Sequence, residues 1–159
     1  MKFALDIIGK YVIISIMKLF EIGTGLISIK VPNNYFSDWE NKNTVILYDP
    51  ENDYINIRIS IITVKPNDKS DVNYMHKEVI KDGNNKKCEV FINDDKSFFV
   101  YDEQQEENGK DIKIYFYQVG YKCHCIIISV SVLLENINNK MVKIVLNDIF
   151  NSIPTISEI

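Results

Sequence analysis

A chain of 159 residues with 46% hydrophobic and 25% charged residues has the make-up of one globular domain, long enough to bury roughly two thirds of its unfolded surface. Its formal net charge of -4 argues against nucleic acid, whose phosphates call for a basic face. Three cysteines, Cys88, Cys123 and Cys125, form an odd set without framework spacing, which argues against a disulfide scaffold and suits reduced thiols in a cytosolic protein.

In chain order, the first stretch stands apart. Its longest uncharged run, Tyr11–Met17, is far shorter than the ~20 residues of a membrane helix, and Asp6 and Lys10 interrupt the core a secretory leader needs. Residues 1–20 are therefore read as an N-terminal extension, with Met17 as an alternative start, and residues 21–159 as the single domain. No membrane partner is expected.

Leu26–Val31 reads as a strand stopped by Pro32, followed by a turn over Asn33–Trp39 that carries three aromatics, with Trp39 expected in the core. Thr44–Tyr48 and Tyr54–Val64 predict a hairpin around Asp49–Asp53. In its second strand Ile55, Ile57, Ile59 and Ile61 alternate with polar residues, giving one core face. Asp68 or Ser70 is placed to cap a helix whose apolar stripe is Val72, Met75, His76, Val79 and Ile80, with Gly83 ending it.

Lys87–Asn93 and Ser97–Tyr101 predict a second hairpin through Asp94-Asp95. An acidic loop, Asp102–Asn108, then closes on Asn108-Gly109. Two long strands follow, Ile112–Gln118 and Lys122–Leu134, turning at Val119-Gly120-Tyr121. In the second, His124, Ile126, Ile128, Val130 and Val132 point one way, and Cys123, Cys125, Ile127, Ser129 and Ser131 the other. A last helix spans about Asn139 to Ser152, buries Met141, Val142, Val145, Leu146, Ile149 and Phe150, and stops before Pro154. The fold class is α+β: an antiparallel sheet of six or seven strands flanked by helices.

Ile29-Lys30-Val31-Pro32, Trp39, Val45-Ile46-Leu47-Tyr48-Asp49-Pro50 and Asn56-Ile57-Arg58-Ile59-Ser60 carry a family resemblance. With the order strand, aromatic turn, hairpin, helix, meander and helix, the chain from about Gly25 to Ile153 resembles the PsbP-like (Mog/PsbP) fold. Within it the likeness is to a bacterial family of unknown function. The resemblance implies a sheet flanked by helices, no catalytic residues to carry over, and a role as an adaptor or an antitoxin-like immunity protein.

Several chemistries are weighed against plain packing. Cys123-His124-Cys125 suggests a metal completed by Cys88 or His76, but only one ligand pair is present and His124 points away from its neighbours, so no metal is expected. His76 lacks a nucleophile and an orienting acid in any recognisable setting. Asp49, Glu51 and Asp53 open like a calcium loop that Tyr54 and Ser60 then break, and Gly23-Thr24-Gly25 lacks a third glycine and a helix. No cofactor is expected.

Asp102, Glu103, Glu106 and Glu107 form the densest charge cluster, with Tyr115 and Tyr117 as aromatic anchors beside it or as packing under a helix. The expectation is a non-enzymatic, cytosolic protein-binding domain that meets a protein, in the immunity case a toxin, through those residues. The alternative is a small enzyme or ligand-binding protein with a pocket near His76 and Cys123–Cys125.

Overall fold

A computed structural model describes residues 3–8, 11–23 and 25–158, with side chains from Met17 onward save Asp53 and Tyr54. Ten strands and two α-helices follow in the order β1 (Phe3–Ile8), β2 (Tyr11–Ile22), β3 (Ile27–Pro32), β4 (Phe36–Asn41), β5 (Thr44–Asp49), β6 (Asn52–Thr63), α1 (Tyr74–Asn85), β7 (Val90–Asn93), β8 (Lys96–Glu107), β9 (Lys110–Tyr121), β10 (His124–Leu133) and α2 (Lys140–Ser152). The fold is α+β. A seven-stranded antiparallel sheet in the order β4-β5-β6-β10-β9-β8-β7 is joined by a smaller sheet, β1-β2-β3. No helix among the described residues is long and apolar enough to cross a membrane.

The isoleucine alternation places β6 and β10 side by side at the centre. Ile128 lies between Ile59 and Tyr117, and Val130 between Ile57 and Tyr115. Ile55, Ile57, Ile59, Ile126, Ile128, Val130 and Val132 are all fully buried. On this face sit Ile27, Ile29 and Val31 of β3, Val142, Val145 and Ile149 of α2, and the tail residues Ile153 and Ile156. Each buried branched side chain of this size contributes about 1.5–3 kcal/mol. The second helix begins as its sequence predicts, with the Asn139 side chain accepting from the Met141 amide at 2.8 Å.

The opposite face is covered at one end only, by α1. Met75 and Val79 pack there on Phe99 and Cys125. Two glycines make the approach close. A Cβ on Gly120 would stand 2.3 Å from the Met75 carbonyl oxygen, and one on Gly83 2.6 Å from Val90 Cγ2. Gly83 therefore lies inside α1 rather than ending it, and Lys87, at φ 58, takes the left-handed position beyond. Likewise the β9–β10 turn is not Val119-Gly120-Tyr121 but Lys122-Cys123, with Lys122 at φ 53. Asp68 and Ser70 bond each other in the loop before α1, whose N-cap is Asn73 with no side-chain bond, and Val72 is exposed ahead of the helix.

Three further expectations change. The expected turn over Asn33–Trp39 is followed from Phe36 by β4, an edge strand whose six residues are all exposed. Trp39 is 63% exposed rather than in the core. It follows that the emission of this single tryptophan falls where it does for indole in water, and that acrylamide quenches it nearly as well as free tryptophan; a blue-shifted, shielded emission contradicts the placement.

The acidic stretch is strand rather than loop, since β8 continues to Glu107. The smaller sheet also draws on residues the sequence sets aside, because β2 crosses position 20 and its Met17–Ile22 half pairs with β3. Within residues 1–20, Met1, Lys2, Gly9 and Lys10 lie outside the described residues, as does Thr24 of Gly23-Thr24-Gly25.

Candidate protein-contact site

The twelve residues of β8 pair without a break with those of β9, from Lys96 opposite Tyr121 to Glu107 opposite Lys110. Their turn is Asn108-Gly109, with both residues at positive φ, 53 and 76, as a tight two-residue hairpin requires. On the other side β7 covers only Lys96–Phe99. From Val100 onward β8 is the edge of the sheet.

Hairpin geometry decides which backbone groups this edge presents. In an antiparallel pair successive residues bond alternately to one neighbour and the other. Glu107, flanking the turn, bonds to β9, and so by alternation do Gln105, Glu103 and Tyr101. The N–H and C=O groups of Val100, Asp102, Gln104 and Glu106 point outward, where no strand of the described residues lies.

The side chains alternate as well. Asp102 and Glu106 share one face of the ribbon with Tyr115, while Glu103 and Glu107 lie on the other. The four acids are thus no single patch. They form two adjacent pairs along one edge, one carboxylate to each face, separated by Gln104-Gln105. Lys113 Nζ lies 3.6 Å from Asp102, and Lys110 is the cross-strand neighbour of Glu107. Glu106 faces Asp111 directly, a like-charge pairing that costs stability.

Of the two tyrosines expected as anchors, Tyr117 is withdrawn from the surface. It is buried under α2, donates to the Leu146 carbonyl at 3.2 Å, and burial raises its phenol to about 12. Tyr115 is half-buried against the same core with the Lys113 ammonium over its ring. An open groove of about 510 Å³ beside the turn is lined by Gly109, Lys110, Asp111, Leu133, Leu134 and Glu135.

The alternative pocket's residues lie around the start of α1, where the His76 amide meets the Lys122 carbonyl at 3.4 Å beside Cys123, but no hydrogen bond joins the side chains of His76, Cys123 and Cys125. Cys125 packs under α1 and burial pushes its thiol up to about 11, away from nucleophilic use near neutrality. Cys88 packs partly against the same cluster, while Cys123, in the β9–β10 turn, contacts the Asp71 carbonyl at 3.5 Å. His76 lies on α1 with Nδ1 buried and without a hydrogen-bond partner. His124 turns to the opposite face. Among the described residues no cluster of three or more His, Cys, Asp or Glu side chains has metal-binding geometry.

One arrangement escapes the sequence. His124 holds Thr63 Oγ1 at 2.9 Å on Nδ1 and Glu158 Oε1 at 2.7 Å on Nε2. Lys122 meets the second Glu158 oxygen at 2.8 Å, and the Glu158 amide donates to the Tyr121 hydroxyl. These bonds to Lys122 and His124 hold the Glu158 carboxyl below its ordinary range. Together with the Ser157 amide on the Leu26 carbonyl, they fasten the tail that carries Ile153 and Ile156 into the core. Thr63 and Glu158 carry no motif; the β6–β10 register sets Thr63 opposite His124, and Glu158 arrives from the tail beyond α2.

No family model matches the chain, and no curated protein matches it. Among solved structures it is similar to one from Bacteroides thetaiotaomicron VPI-5482, at 16% identity and a TM-score of 0.57, over 74% of this chain and 42% of that one. The chain thus spans less than half the length of that protein. It is also similar to the solution structure of cyanobacterial PsbP (CyanoP) from Synechocystis sp. PCC 6803, at 12% identity and a TM-score of 0.41, over 95% and 96% of the two chains. A third similar structure, a protein of unknown function from Pseudomonas aeruginosa, shares 12% identity at a TM-score of 0.43, over 90% and 97%. The likeness to the Bacteroides structure is one of fold.

Proposed function

We propose that this chain is a non-enzymatic, cytoplasmic protein-binding domain, an adaptor or an immunity protein set against a toxin, that meets its partner through the acidic end of β8. The observation that carries this reading is the stretch Val100–Glu107. It runs eight residues past the last residue of β8 that β7 covers, and it places four carboxylates beside an unpaired backbone edge. Complementary charge at such a place speeds encounter and fixes orientation.

The test is capture from a native lysate on the immobilised full chain, against a variant carrying both Asp102→Lys and Glu106→Lys. The wild type retains a specific protein that added salt releases, and the variant loses it. Retention of nothing specific at any salt, or an unchanged set on the variant, overturns the reading.

A further inference from the structure

The contact reading leaves open how a partner engages β8 and what chemistry it brings. We propose that the β8 edge from Val100 to Glu107 accepts an added, antiparallel strand from an extended, basic segment of another protein. This rests on the protein-binding reading and names its mode and ligand class.

The backbone supplies the first half of the argument. Val100, Asp102, Gln104 and Glu106 present four N–H and four C=O groups along a line that β7 already follows on the same strand. A strand laid there continues the β7 position and butts against its first residue, Val90. Addition of a strand to an open edge takes its affinity from these main-chain bonds and its selectivity from the alternating side chains.

The side chains supply the second half. Along the edge they run Val100-Tyr101, Asp102-Glu103, Gln104-Gln105, Glu106-Glu107. Each couple sends one side chain to each face. A matching strand therefore carries two basic pairs separated by two uncharged residues, and an apolar pair at the end nearest β7. Its bases would reach Glu103, which has only Ile114 opposite, and relieve the Glu106–Asp111 confrontation. A second copy of this chain is the wrong occupant, because its own β8 edge is equally acidic. Charge of one sign on a free edge blocks pairing between copies.

The experiment titrates the full chain with the blocked peptide Lys-Lys-Thr-Thr-Lys-Lys-Val-Val, following backbone amides by NMR. Binding is expected to slow exchange at Val100, Asp102, Gln104 and Glu106. The peptide Lys-Thr-Lys-Thr-Lys-Val-Lys-Val, of the same charge and composition but with every lysine on one face, should bind about tenfold more weakly.

Gln104→Pro removes one outward N–H at an edge position, where proline is tolerated, and should abolish binding with the melting temperature kept. N-methylation of alternate peptide amides should do the same on the unaltered protein. Equal binding of the two peptides, no change in the four amides, or unimpaired binding to Gln104→Pro overturns the inference. So does sedimentation showing a dimer that Gln104→Pro dissolves. If the peptide does not bind but the lysine variant still loses a captured partner, strand addition is wrong and the protein-binding reading stands.

Discussion

Gly120→Ala is expected to lower the stability of the fold by about 3 kcal/mol or more, at the upper end of what overpacking costs. The added methyl meets the Met75 carbonyl oxygen at 2.3 Å, the Met75 carbonyl carbon at 2.8 Å and Val79 Cγ2 at 2.9 Å. Two of those atoms are backbone and cannot rotate away. Nor can α1 easily lift, because the Met75 amide donates to the Lys122 carbonyl at 2.8 Å in the turn just beyond Gly120. Gly109→Ala is the control. It has open space around it but φ +76, so it carries only the left-handed backbone penalty of roughly 1 kcal/mol. Urea midpoints of the two variants at unchanged slope separate steric from conformational cost.

Ile128→Ala is expected to cost roughly 3–4 kcal/mol. The residue is fully buried at the centre of the sheet, between Ile59 on β6 and Tyr117 on β9. Neighbours on three layers hold the space open, so the vacated volume cannot collapse. Ser129→Ala, one residue on, points to the face that α1 covers only in part, and should move the same midpoint by less than about 0.5 kcal/mol. Comparable losses at both positions would mean that the β10 register is wrong by one residue.

Much of this frame is written in local pattern. The Ile55-Ile57-Ile59 alternation and the α2 stripe of Val142, Val145 and Ile149 with Asn139 before it need no tertiary information, and each lies where its pattern puts it; the Asp49–Asp53 turn tightens to Pro50-Glu51, and Phe150 of the expected arc is exposed. The glycines are the instructive exception. Gly83 and Gly120 read as punctuation, yet neither is at a turn. They are small because a helix lies on them, a demand set by residues distant in sequence. The left-handed positions fall to Gly23, Gly25 and Gly109 and, without glycine, to Lys87, Asp94, Asn108 and Lys122.

The ribbon was half legible. Asp, Glu and Gln are weak strand formers, so Asp102–Glu107 reads as loop. The signal against that was Asn108-Gly109, since a two-residue turn of this type requires both flanks to be paired. For Trp39 the deciding information is strand order. Its size suggests the core, but β4 is the last strand of the sheet, and nothing in its own sequence says so.

Amide hydrogen exchange along β8 of the free chain tests the open edge most directly. Tyr101, Glu103 and Gln105 should be protected by β9 while Asp102, Gln104 and Glu106 exchange at nearly unstructured rates, a residue-by-residue alternation. Uniform protection would mean that something already covers this side of the strand, and uniform fast exchange that the ribbon does not form; either result contradicts the account.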